Sequence, residues 1–356
     1  FERTKQGQGQ AFSIISEAGV GKSRLLYEFR KAVSSEDVTF LEGKCLSYSK
    51  GVAYHPIIDL YKSNFDIREN DSDFHIKEKV RAGLKQLEVD EASVLPYLLE
   101  LVSVKDSGFD QIPLSPEGKK SRMIETMIRI PLKGSEIRPL IMVIEDLHWM
   151  DRSSDNVLKY MLESISGARI LLIFAYRPEF VHTWGGKSYH SQVTLNRLSN
   201  RESLSMLYNI LDSGQVERNL EELVLAKTEG IPFYLEEFVT SLRELNIIEK
   251  RENYCLIKDI EDLAIPSSIQ DVIMAKVDGL PDDAREVLQT GSVIEREFNL
   301  DLIKEVMDQA ENELLSSLSL LKDSELIYER GIYPDTTYIF KHALTREVVY
   351  DSILSN

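Results

Sequence analysis

Ser16-Glu17-Ala18-Gly19-Val20-Gly21-Lys22-Ser23 is the stretch that most limits what this chain can fold into. An apolar run, Ala11-Phe12-Ser13-Ile14-Ile15, leads in, and the helix-like Arg24-Leu25-Leu26-Tyr27-Glu28-Phe29-Arg30 leads out. A strand, a glycine-bearing loop, Lys-Ser and a helix are the parts of a phosphate-binding loop. Gly19 and Gly21 let the backbone curl so that successive N–H groups face phosphate oxygens. The following helix presents its positive dipole end to the same anion. Lys22 would reach β- and γ-phosphates, and the Ser23 hydroxyl would ligate Mg²⁺. Val20 and Arg24 complete the segment expected to hold the nucleotide. Ser16 stands where the full motif has glycine. The competing reading is a strand-to-helix turn that merely spells Gly-Lys-Ser, and the flanking periodicity speaks against it.

The chain has 356 residues, too many for one core, which predicts two or three domains. A net charge of −17 argues against extended DNA or RNA binding, which calls for a basic face. Cys45 and Cys255 are far apart and lack metal-ligand spacing, so they read as buried thiols in a reducing cytosol. No signal peptide is visible, and no apolar stretch nears the ~18 residues of a membrane span. The chain opens on Phe1-Glu2-Arg3 without an initiator Met, which reads as a piece of something longer.

Strands are expected at Val38–Glu42, at Pro139–Asp146, at Ala168–Arg177 and, last, at Val193–Leu195. The second and third are continuous apolar runs of the kind that suits central strands of a parallel sheet. With Val157–Leu162 as a helix between them, strands and helices alternate, which is the pattern of an α/β fold. Residues 57–137 read as a helical insertion with a charged turn at Glu69–Asp73. A loop holding Tyr48, Tyr54 and His55 precedes it. After residue 199 the pattern turns helical, with a break at Gly230-Ile231-Pro232 and a hairpin over Ile247–Ile257. From Pro266 four short helical patterns precede a second hairpin, Leu326–Glu329 against Tyr338–Phe340 across Gly331–Thr337, and a last helix, Ala343–Leu354. Helices, a two-stranded wing and a helix describe a winged-helix domain. The expected organisation is a nucleotide-binding domain over 1–198, a helical lid over 199–260 and a winged helix over 261–356.

Glu145-Asp146 ends a buried strand at the sheet edge where ligands bind in open α/β folds. Glu145 would hold Mg²⁺ and Asp146 would polarise an attacking water; the bland alternative is an acidic cap on the next helix, a job open to Asp151. Arg177 ends the following strand, where a cation could touch the γ-phosphate, or else pair with a surface carboxylate. His148 and Trp149 have no nucleophile or metal cluster beside them and read as packing. Gly230–Pro232 could be only a helix break, and His342 only a structural histidine.

These segments resemble the STAND class of P-loop NTPases. ISEAGVGKSRLLYEF, IEDLHWMD, YRPEF, TEGIPFYLEE and FKHALTREVVYDSIL are similar to the AAA-type ATPase module of large bacterial regulators. The resemblance implies an α/β P-loop NTPase, a parallel sheet with flanking helices, followed by the lid and the winged helix. It implies ATP/ADP and Mg²⁺ as cofactors and cyclase or tetratricopeptide-type domains as intramolecular partners. It gives Lys22 and Ser23 the Walker A roles, Glu145 and Asp146 the Walker B roles, and Arg177 a sensor role. It sets Pro232 against the nucleotide base and His342 on the β-phosphate of ADP. Ser16 and Glu145 depart from the commoner Gly and Asp, and the family's upstream Gly-Arg-Glu does not occur.

The function expected is a cytoplasmic, ATP-binding, slowly hydrolysing switch, with oligomerisation on activation left open. One alternative is a DNA-binding initiator or transcription-activator ATPase. Residues 266–356 carry 18 Asp and Glu against 8 Lys and Arg, which repels phosphate. The other is an ATP-dependent kinase-like enzyme; no second substrate site is visible in the sequence, and the 57–137 insertion is the stretch that could hide one.

Overall fold

The computed structural model describes residues 1–46, 52–68, 71–257, 268–307, 309–330 and 336–354. Tyr48, the Glu69-Asn70 part of the charged turn, the 260/261 boundary, Pro266 and most of the Gly331–Thr337 turn lie outside the described residues. The chain divides into two units: residues 1–17 with 22–195, and residues 18–21 with 196–356.

The first unit opens with α1 (Glu2–Lys5), β1 (Gln10–Ile15), α2 (Lys22–Ala32) and β2 (Thr39–Lys44). Four helices follow: α3 (His55–Asn64), α4 (Asp73–Gln86), α5 (Glu91–Leu101) and α6 (Pro116–Ile137). β3 (Leu140–Glu145), α7 (Arg152–Ser164), β4 (Ile170–Tyr176) and β5 (His190–Thr194) complete it. The strands form one parallel sheet in the order β2-β3-β4-β1-β5. Every residue of β3 and β4 is buried, as continuous apolar runs require. Alternation splits them between two cores. Met142, Ile144, Leu172 and Phe174 face the core shared with α3–α7, whereas Ile141, Val143, Leu171 and Ile173 join Leu26 and Val33 on the other. The edge strand β5 starts earlier than its short apolar signal, because its side chains are mostly exposed and the alternation there is silent.

A cavity of about 450 Å³ opens among the insertion helices, lined by Thr39, Leu60, Phe65, Ile130, Leu140 and Met142 among others. Thr39 and Leu140 are the first residues of their strands, so the cavity sits at the amino end of the sheet.

The second unit holds α8 (Asn200–Leu211), α9 (Arg218–Thr228), α10 (Pro232–Glu244) and a hairpin of β6 (Ile248–Lys250) and β7 (Tyr254–Leu256). It continues with α11 (Ile269–Asp278), α12 (Asp282–Ile294), β8 (Glu297–Asn299), α13 (Leu300–Val306) and α14 (Glu311–Asp323). β9 (Ile327–Arg330), β10 (Thr337–Phe340) and α15 (Ala343–Leu354) end it. The expected two-stranded wing has a third strand: β8 pairs antiparallel with β10 on the side away from β9. Three residues, only Phe298 of them buried, are too few to show a period in sequence. Two adjacent side chains of α10 divide between the unit's two cores, Phe233 to one and Tyr234 to the other. Lys276 of α11 and Glu237 of α10 form an ion pair of 2.7 Å with both side chains nearly covered.

Candidate nucleotide site

Ser16 begins the loop without a positive φ, so a side chain is tolerated where the motif has glycine. That side chain has work to do: its hydroxyl donates to Glu17 O at 3.0 Å and accepts from Lys22 Nζ at 3.2 Å. Lys22 also donates to Ser16 O at 2.8 Å and Glu17 O at 3.0 Å, which folds the lysine back over the loop. Gly19 and Gly21 do take positive φ, +78° and +114°, values that a β-carbon disfavours.

Lys22 opens α2, and Ser23 beside it donates its hydroxyl to Glu145 Oε2 at 3.0 Å. These residues are 122 apart in sequence and meet because β3 delivers Glu145 to the carboxyl edge of the sheet. Glu145 is buried. A hydroxyl and a carboxylate oxygen at this separation are the hard donors that Mg²⁺ prefers, with water and phosphate filling the remaining positions. Among the described residues no cluster of three His, Cys, Asp or Glu could hold a metal by itself.

Asp146 has φ +57° and starts a 3-10 turn over Leu147–Trp149, without a side-chain cap on that turn. Left-handed backbone outside glycine costs energy, tolerated best by Asn and Asp, and such residues concentrate at functional sites. The capping job falls to Asp151, whose Oδ1 accepts from Ser153 N and Ser154 N, both at 2.9 Å, and from Tyr54 N at 3.2 Å. Cys45 donates its backbone N–H to Glu145 O at 3.0 Å. Burial drives the Cys45 thiol well above its usual pKa, and the carboxylates of Asp146, Asp151 and Asp59 add to the shift. The strand ends therefore carry a negative field of the kind a divalent cation neutralises. Burial also raises Asp59, against the opposing pull of His55, Lys62 and Lys44.

Arg24 is exposed and pairs with Glu28 at 2.6 Å. Val20 is buried. Arg177 follows the last residue of β4, and its carbonyl accepts from Phe180 N at 3.0 Å. His148 packs its ring against Trp149, centroids 5.2 Å apart.

In the second unit, Gly230 has φ +74°, and a β-carbon there would lie 2.2 Å from Leu198 O. Leu198 N donates to Gly230 O at 2.7 Å, which holds the turn that sets Pro232 as the first residue of α10. Phe233 N donates to Gly19 O at 3.2 Å, and its ring centroid lies 4.0 Å from that of His342. His342 Nε2 is buried and has no hydrogen-bond partner among the described residues. Burial, then Lys341, Arg296 and Lys276, push its pKa down to about 4, with Glu325 opposing. The Ser16 clamp on Lys22 and the Phe233 link had no signal in sequence beyond lying inside their motifs.

Residues 1–173 match the AAA ATPase domain family. An uncharacterized protein of Rhizobium meliloti (strain 1021) is 21% identical over 98% of this chain and 33% of its own length. The crystal structure of a STAND protein with a tetratricopeptide repeat sensor from Pyrococcus horikoshii covers 99% of this chain and 41% of its own, at TM-score 0.50 and 13% identity. The chain thus spans less than half the length of either protein. Among the described residues no helix is long and apolar enough to cross a membrane. The family match over residues 1–173 and the five-stranded parallel sheet support an α/β P-loop ATPase fold, and over the whole chain the fold is similar to that of the STAND protein.

Proposed function

We propose that the chain is an ATP-binding, slowly hydrolysing switch of a larger cytoplasmic regulator, its ATP or ADP state controlling attached output domains such as a nucleotidyl cyclase. The observation that carries this reading is the Ser23–Glu145 contact of 3.0 Å beside Lys22, inside the residues that match the AAA ATPase domain family. Lys22 would exchange its loop carbonyls for β- and γ-phosphate oxygens. Ser23 and Glu145 would hold Mg²⁺, which supplies charge neutralisation when bound. Asp146 would orient and polarise water, and Arg177 would register the γ-phosphate. Residues 199–260 read as a helical lid and 261–356 as a winged helix, with Pro232 and His342 keeping the nucleotide-sensing roles that the resemblance implies.

The initiator reading meets the acidity of α14, which opens with Glu311 and Glu313. The kinase reading meets distance. The insertion's cavity lies toward the amino end of β3, and its lining residue nearest to Glu145 on that strand, Met142, is three residues away, roughly 10 Å. Calorimetric titration of ATP and ADP with Mg²⁺ tests the binding, and small-angle scattering of the two complexes tests the switch. Identical scattering with both nucleotides would sink the switch.

A further inference from the structure

Behind Arg177 lies an aromatic cluster that the nucleotide reading does not use. Trp184 is 3% exposed and stacks on His182, centroids 4.7 Å apart and planes 22° apart. It meets Phe174 edge-on at 4.6 Å and lies 6.2 Å from His190 at 23°. The imidazoles of His182 and His190 are 5.9 Å apart. Hydrogen bonds tie the cluster to the sheet: His182 Nε2 to Tyr176 Oη at 3.1 Å, and His190 Nε2 to Ser13 Oγ at 2.8 Å. Trp184 Nε1 donates to Asp155 on α7. Tyr189 Oη donates to Leu162 O at 2.9 Å. The segment 177–189 leaves β4 at Arg177 and is thus anchored through its aromatic side chains, while its outer charge, Lys187, pairs with Glu163 at 3.6 Å.

We propose that His182 and His190, packed with Trp184, form a proton-sensitive latch on the segment that begins at Arg177, which makes them positioning residues for that arginine.

Two half-buried imidazoles whose centroids lie 5.9 Å apart repel each other once both carry a proton, which favours the neutral pair. Burial lowers His182 below its ordinary value of 6.5, with a backbone hydrogen bond and Asp155 opposing. Burial also lowers His190, and His182 adds to the effect. Of the groups around them, Ser13 and Tyr176 are neutral, Asp155 is engaged by Trp184, and Lys187 is paired with Glu163. The sign follows. Released imidazoles take up protons near their ordinary value and latched ones do not, so falling pH favours release. The latch holds at neutral pH and loosens as pH drops below 6.5. A displaced segment would move Arg177 while leaving Lys22 and Ser23 in place, so turnover should fall and nucleotide binding should persist.

This inference rests on Arg177 acting in hydrolysis, so its test has a readout that needs no nucleotide. Trp149 and Trp184 are the chain's two tryptophans, so Trp149→Phe leaves Trp184 as the reporter. Its emission between about pH 7.5 and pH 5 should change while circular dichroism stays native. In the otherwise unaltered chain, turnover should drop about tenfold over that range with ATP affinity within about twofold. His182→Phe keeps a stacked ring without the proton and should remove most of the acid drop; His190→Gln, which can still bond Ser13, should shrink it. Unchanged Trp184 emission over that range would overturn the latch. Responsive emission with pH-independent turnover would overturn its tie to Arg177. Responsive emission in a chain without turnover at any pH would support the latch and count against the ATPase reading alone.

Discussion

The two ends of the central sheet differ in kind. The carboxyl end gathers buried or half-buried polar groups and unusual backbone: Glu145, the left-handed Asp146, and Lys22 folded onto loop carbonyls. The amino end opens on a cavity whose lining mixes Leu60, Phe65, Ile130 and Met142 with Thr39, Asn64, Gln86 and Arg138. One sheet thus separates a polar arrangement on left-handed backbone at one end from a cavity of mixed lining at the other. Parallel strands explain it, because every strand delivers its last residue to the same edge, where helix N-termini and loops can meet an anion.

Substitutions at the two ends should have different signatures. At the carboxyl end, Asp146→Asn keeps a side chain that tolerates left-handed backbone and removes the charge. Turnover should fall by about 10² with ATP affinity nearly unchanged, and steady-state ATPase assays beside calorimetry check it. Unchanged turnover would strip the carboxyl end of its chemical role. At the amino end, Gly83→Ala drives a β-carbon to 2.5 Å from the Phe65 ring. Overpacking of this sort should cost about 1–3 kcal/mol in denaturant unfolding and leave ATP affinity alone. Gly134→Ala, whose nearest neighbour would be Leu87 Cδ2 at 3.8 Å, meets only ordinary contact near the end of α6. It should stabilise the chain by about 0.5–1 kcal/mol, readable as a raised Tm.

The parts legible in sequence are those carried by contiguous residues. The apolar runs of β3 and β4 announce a buried parallel sheet because both faces are covered, and Gly-Val-Gly-Lys-Ser announces its own loop. What stays hidden depends on residues that meet only in three dimensions. Ser16 looks like a defect in the motif, yet its hydroxyl helps hold Lys22. β8 has three residues and takes its identity from β10. His182, Trp184 and His190 sit in a polar segment without period, and only Phe174, Tyr176 and Ser13 from two other strands make them a cluster. Asp151 and Asp146 look alike as acids after a strand, and the backbone N–H groups of α7 tell them apart by bonding to Asp151.

The central claim is that Lys22 and the Ser23–Glu145 pair hold a nucleotide with its metal. Calorimetric titration of Mg²⁺-ATP into the chain and into Lys22→Ala tests it most directly. The account predicts saturable binding to the unaltered chain and none to the variant, with both folded by circular dichroism. Equal binding to the two would contradict it.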